Sequence, residues 1–275
     1  MTRELHSRRL RPACWPLLAI TLAFFSVPAV AVTFDSIEQA RLQPEQATRL
    51  ELRGNDPELT HLPPGLGRLV HLQVLQIQCM EALEELPAEI GTLTALEQLV
   101  IDNGNGCTMN IALPETLGQL RQLKVLVLHG AIDPREGGPG DDVPPERIKS
   151  LPESLGQLEQ LEVLNLARNG LDRVPAQIAG LKHLRVLRLE YNTLEEIPDF
   201  IGSLANLQEL TLQSNRAGLS LPASLARLRG LRLDMGNSSL SVQQQHELRT
   251  RFPDIRFSFD NEYDDDAANE EASQP

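Results

Sequence analysis

Seven side chains beyond position 31 could in principle attack a substrate, shuttle a proton or hold a soft metal: His61, His71, His129, His183, His246, Cys79 and Cys107. A thiol nucleophile needs a base in hydrogen-bond reach and a third group that orients the base. Cys79 and His129 come nearest to such a pair. They lie 50 positions apart, and no orienting group is evident. A structural zinc site needs four nitrogen or sulfur ligands, and two cysteines without a close histidine pair fall short. Asp133, Glu136, Asp141 and Asp142 crowd one stretch, but their spacing is not that of a calcium-binding EF-hand loop. A solvated acidic loop is the plainer reading. G-x-S-x-G, H-E-x-x-H, P-loop and dinucleotide fingerprints are missing. No catalytic residue, metal or cofactor is therefore assigned, and no enzymatic activity is expected.

The bulk numbers narrow the choice further. The chain has 275 residues, 41% of them apolar but only 4% aromatic, so its core must be aliphatic. Its net charge is −13 and its pI about 4.9. That excludes nucleic acid, whose phosphates call for clustered Lys and Arg, and equally an anionic membrane surface. Residues 1–31 have the layout of an export signal: Arg3, Arg8, Arg9 and Arg11, then the apolar run Leu17 to Val27, then Ala29-Val30-Ala31 as a small-x-small cleavage site. The alternative, an uncleaved anchor, has too short a run for the roughly 20 apolar residues of a span. Cleavage would remove four arginines and one glutamate, leave a net charge of −16, and place the chain in the periplasm or outside the cell.

What positions every other residue is a repeat. Segments opening at Leu62, Leu86, Leu113, Leu151, Val174, Ile197 and Leu221 follow one another at intervals of 24, 27, 38, 23, 23 and 24. The three regular ones, 151–220, each begin with an apolar residue and proline and end at Asn169, Asn192 or Asn215. A fixed period of that length means a solenoid. The Leu-x-Leu segments have period 2 and read as strands. The Leu-x-x-Leu-x-x-Leu before each has period 3 and suits a tight 3₁₀ turn, with proline at its first position. One coil cannot bury its leucines; stacked coils bury them on each other. His71 and His183 fall between pattern leucines, on the surface.

The pattern LPxxLGxLxxLxxLxLxxN over residues 49–237 resembles the leucine-rich repeat family, closest to the 23-residue kind of bacterial proteins and Ras-pathway scaffolds. The resemblance implies an α/β solenoid, or horseshoe, with a parallel concave sheet and short helical or 3₁₀ convex turns. It also implies that Asn55, Asn169, Asn192 and Asn215 face inward and bond backbone groups of neighbouring coils. Family members serve mostly as protein-binding scaffolds.

Around the repeats we expect an N-terminal cap with a half-repeat (32–61), seven repeats (62–237), a C-terminal cap (238–259) and a disordered acidic tail (260–275). Within the N-terminal cap, residues 34–42 read as a short helix with Ser36 and Gln39 as a capping box. Within the C-terminal cap, 242–252 read as a helix and 255–259 as a closing strand. Insertions near 102–112 and 129–150 break the ruler on one edge, either as a binding surface or as drift in a tolerant loop. Cys79 and Cys107, at strand exits of adjacent coils, are predicted to form a disulfide; two buried thiols and a metal site are the alternatives. Outward strand positions include Val74, Val100, Val125, Val127, His129, Val163, Asn165, Ala167, Val186, Arg188 and, just beyond, Tyr191. The valines form either a contact strip or merely residues that suit strands, while Tyr191 and Arg188 are of types that dominate binding hot spots. The expectation is a monomeric, exported, non-enzymatic scaffold holding a protein partner on the concave face and on the edge of repeats 1–3. The competing readings are a translocated effector that recognises a host protein and a carbohydrate or cell-wall binding module.

Overall fold

The computed structural model describes residues 32–54, 58–102, 111–130 and 151–259. Residues 1–31, where an export signal is expected, the acidic tail, Asn55 and Cys107 lie outside the described residues, as do most of both insertions. Among the described residues, ten parallel strands form one sheet in strict sequence order. They are β1 (Thr33–Phe34), β2 (Arg49–Arg53), β3 (Val74–Gln78), β4 (Gln98–Asp102), β5 (Val125–His129), β6 (Val163–Asn165), β7 (Val186–Arg188), β8 (Glu209–Thr211), β9 (Arg232–Asp234) and β10 (Arg256–Ser258). Consecutive parallel strands need a return path. From β2 to β9 each return carries a 3₁₀ turn rather than an α-helix, as at Ala88–Thr92, Glu153–Gln157 and Ala176–Gly180, and only the two end returns hold α-helices among the described residues.

The leucine periods explain the core. Leu158, Leu161, Leu164 and Leu166 of one coil are fully buried, as are Leu181, Leu184, Leu187 and Leu189 of the next. Each leucine row stacks on its counterpart one coil away, so the core is a continuous aliphatic column, not a ball. The turns pack as closely. A Cβ added at Gly180 would lie 2.4 Å from the Gly156 carbonyl oxygen. Only glycine lets consecutive convex turns approach to this distance.

Both ends of the column are covered. At the start, helix α1 (Ile37–Leu42) buries Ile37 and Ala40, and Ser36 Oγ accepts a hydrogen bond from the Gln39 N–H. The short strand β1, which pairs with β2, was not anticipated. At the end, helix α2 (Val242–Arg251) carries a reciprocal capping box between Ser241 and Gln244. Phe252, Phe257 and Phe259 close the last coil, the latter two stacked with ring centroids 5.5 Å apart. No helix among the described residues is long and apolar enough to cross a membrane.

Candidate functional site: the outward face of the sheet

In-register pairing sets the outward residues in rows. One row runs Arg49, Val74, Gln98, Val125, Val163, Val186, Glu209, Arg232, Arg256. The next runs Glu51, Gln76, Val100, Val127, Asn165, Arg188, Thr211, Asp234. The expected valine strip is therefore two separate half-rows. Burial corrects it further. Val74 and Val125 are only 6% and 4% exposed, because longer side chains flank each in register: Arg49 and Gln98 beside Val74, and Gln98 beside Val125. Neither can carry a contact. Asn165 and Ala167 are buried as well, with Asn165 Oδ1 accepting the Ala167 N–H at 2.9 Å. Val100, Val127, Val163 and Arg188 stay half-exposed.

Two arginine-carboxylate-arginine clusters flank these valines. Glu51 accepts from Arg49 Nε at 2.7 Å and Arg53 Nη2 at 3.1 Å. Glu209 lies 3.6 Å from Arg188 Nη2 and 3.1 Å from Arg232 Nη2. Each carboxylate is shared by two guanidinium groups, so each cluster has one cation in excess. Along the sheet exit, Tyr191 is 45% exposed and takes the left-handed conformation, φ 57°. The Arg168 guanidinium sits 4.5 Å from its ring centroid, a cation–π contact.

His129 Nδ1 lies 2.9 Å from Asp102 Oδ1. This is the orienting group that sequence reasoning missed, since strand register alone brings residues 27 apart side by side. Cys79, the thiol considered for a pair with His129, is disulfide-bonded. Among the described residues no group of three or more His, Cys, Asp or Glu could hold a metal ion.

The asparagines are a scaffold under this face. Asn192 Nδ2 donates to the carbonyls of Leu166 and Leu189, both at 3.0 Å, and its Oδ1 accepts from Asn169 and Leu171 N–H, also at 3.0 Å. Asn215 repeats the pattern one coil on, donating to Leu189 at 2.9 Å and accepting from Leu194 at 3.1 Å. Asn169 donates to Leu128 at 2.9 Å. Residues 144–249 match a family model described as a leucine-rich repeat region.

Residues 144–249 are a leucine-rich repeat region.

The chain is 37% identical over 84 residues to a uridine 5′-monophosphate transferase of Xanthomonas campestris pv. campestris. The match takes in 30% of the chain and 15% of the transferase. Among solved structures it resembles a TDR receptor, with TM-score 0.53, 19% identity, and coverage of 83% of this chain and 38% of the receptor. It also matches the internalin InlF of Listeria monocytogenes, with TM-score 0.46, 19% identity, and coverage of 72% and 56%. The chain thus spans well under two thirds of each relative's length. What the likeness to the TDR receptor shows is the fold.

Proposed function

We propose that this protein is a non-enzymatic scaffold, exported to the periplasm or beyond, that holds a protein partner on the outward face of its sheet. One observation carries the reading. An in-register ladder from β2 to β9 offers half-exposed Val100, Val127 and Val163 between polar and charged rims, with Arg188 and Tyr191 alongside. An apolar centre inside a polar rim is the anatomy of a protein contact surface. Carbohydrate sites favour exposed aromatic platforms, and Tyr191 already shares its ring with Arg168. The match takes in only 15% of the transferase, so no transfer activity is assigned.

Export rests on the layout of residues 1–31, and N-terminal sequencing of the envelope fraction should start at Val32. The pairing of Cys79 with Cys107 belongs to the same reading. The bonded state of Cys79 supports it, and a chain-entropy argument puts its contribution at roughly 3–4 kcal/mol. Mass spectrometry without reductant should find no free thiol on either.

The contact face is tested by Val127→Glu, which adds a charge to the centre of the patch. The full chain should retain a defined envelope protein that Val127→Glu loses, with an unchanged melting temperature. Retention by both chains would move the contact off this face.

A further inference from the structure

The chain is strongly acidic, yet the C-terminal end of its concave face shows cations to solvent. Every carboxylate on that face is engaged locally. Glu51 is held by Arg49 and Arg53, and Asp102 by His129. Glu190 accepts from Thr211, Glu209 is shared by Arg188 and Arg232, and Asp234 accepts from Gln213 and the Gly236 N–H. The arginines project past them. The Arg232 side chain is 65% exposed where its partner Glu209 is 14%. Arg256 pairs with Arg232 in the strand register, is exposed, and has no ion pair among the described residues. Two neighbouring like charges on a sheet repel unless an anion lies between them.

The chain supplies such an anion. Residues 260–275 follow directly on Phe259, the residue after β10, and hold seven carboxylates and no basic side chain. Eight strand spacings of about 4.8 Å separate β10 from β2, roughly 38 Å. Sixteen residues reach roughly 54 Å when extended. The whole face is within range, and Arg256 and Arg232 come first.

We propose that the acidic segment 260–275 docks on the concave face of its own sheet, its carboxylates bridging Arg232 and Arg256. Tethering gives such a segment an effective concentration in the millimolar range, so it occupies the face even if each contact is weak. If the face binds a partner as proposed above, the segment is a built-in competitor that the partner must displace. That consequence rests on the scaffold reading; the docking does not.

The test needs no partner. The full chain is compared with a full-length variant in which Asp260, Asp264, Asp265 and Asp266 become Asn and Glu262, Glu270 and Glu271 become Gln. Both are labelled with phenylglyoxal at low salt, and modification is read at each arginine by mass spectrometry. Arg173, 84% exposed and beside Asp172, is the internal reference. Docking predicts labelling of Arg232 and Arg256 about fivefold slower in the native chain, with the difference abolished at roughly 0.5 M salt. Equal rates at these two arginines would overturn the proposal. So would protection confined to Arg249 and Arg251 on α2, which would put the segment on the cap.

Discussion

The coils at 151–220 and those at 62–130 solve one problem in two ways. Where the chain leaves the sheet, its backbone turns sharply and several N–H and C=O groups lose their strand partners. Buried groups of that kind must be paired. In the regular coils one asparagine does this from inside, and Asn192 alone serves two N–H groups and two main carbonyls. In the first coil the same position is Met80, buried and without a polar side-chain atom to offer in this way. Parallel backbone bridges, His61–Glu85 and Glu85–Ala112 there and Glu196–Ser220 in the regular block, join coils in both regions, so the ladder is what distinguishes them. An amide ladder demands a fixed spacing. The insertions sit beside the coils that lack the ladder.

The largest expected effect breaks the ladder. Asn192→Ala leaves the Asn169 and Leu171 N–H groups and the Leu166 carbonyl without this partner, while the Leu189 carbonyl keeps Asn215 Nδ2; a typical orphan costs about 1–3 kcal/mol. A loss of about 4 kcal/mol in urea unfolding is expected. Met80→Ala removes buried side-chain volume and should cost about 2 kcal/mol. Equal losses would mean that the two regions are stabilised alike.

The turns sharpen the contrast at smaller cost. A Cβ at Gly180 meets backbone, the Gly156 carbonyl oxygen at 2.4 Å and Cα at 2.9 Å. A Cβ at Gly67, in the first coil, meets chiefly the Thr92 side chain, Oγ1 at 2.8 Å. Backbone cannot rotate away and a hydroxyl can. Gly180→Ala should therefore cost about 2 kcal/mol, and Gly67→Ala about 1 or less. Thermal melts of the two variants check this, and the order should not invert.

The column was readable because its signals are local. A leucine at every second or third position states its own direction, and an asparagine recurring every 23 residues states the ladder. Ser36 and Gln39 were equally readable, three apart ahead of a helix, and Ser36 Oγ does accept from the Gln39 N–H. The face was readable only in part, since exposure there depends on the length of side chains one coil away. Val74 and Val127 look alike in sequence. Gln98 and Arg49 cover the first, while Val100 and Asn165, shorter, leave the second half-exposed. The Asp102–His129 pair was hidden for the same reason: the intervening length had to be known before the register was.

The smallest predicted effect lies where the two regions meet. Glu115, in the last irregular coil, accepts from the Glu153 and Ser154 N–H groups at the first turn of the regular block, both at 3.1 Å. The Ser154 N–H above all holds its carboxyl below the ordinary 4.5, with partial desolvation opposing and the Glu153 N–H assisting. A carboxyl whose folded pKa is depressed contributes stability above its unfolded pKa and loses it as the pH falls through the folded one. Replacement by glutamine keeps one acceptor oxygen and puts an N–H₂ where the other carboxylate oxygen stood. Glu115→Gln should therefore be less stable than the native chain above about pH 4.5, and the two unfolding curves should converge as the pH drops below it. A gap that stayed constant with pH would mean that the charge of Glu115 does not help to join the two blocks.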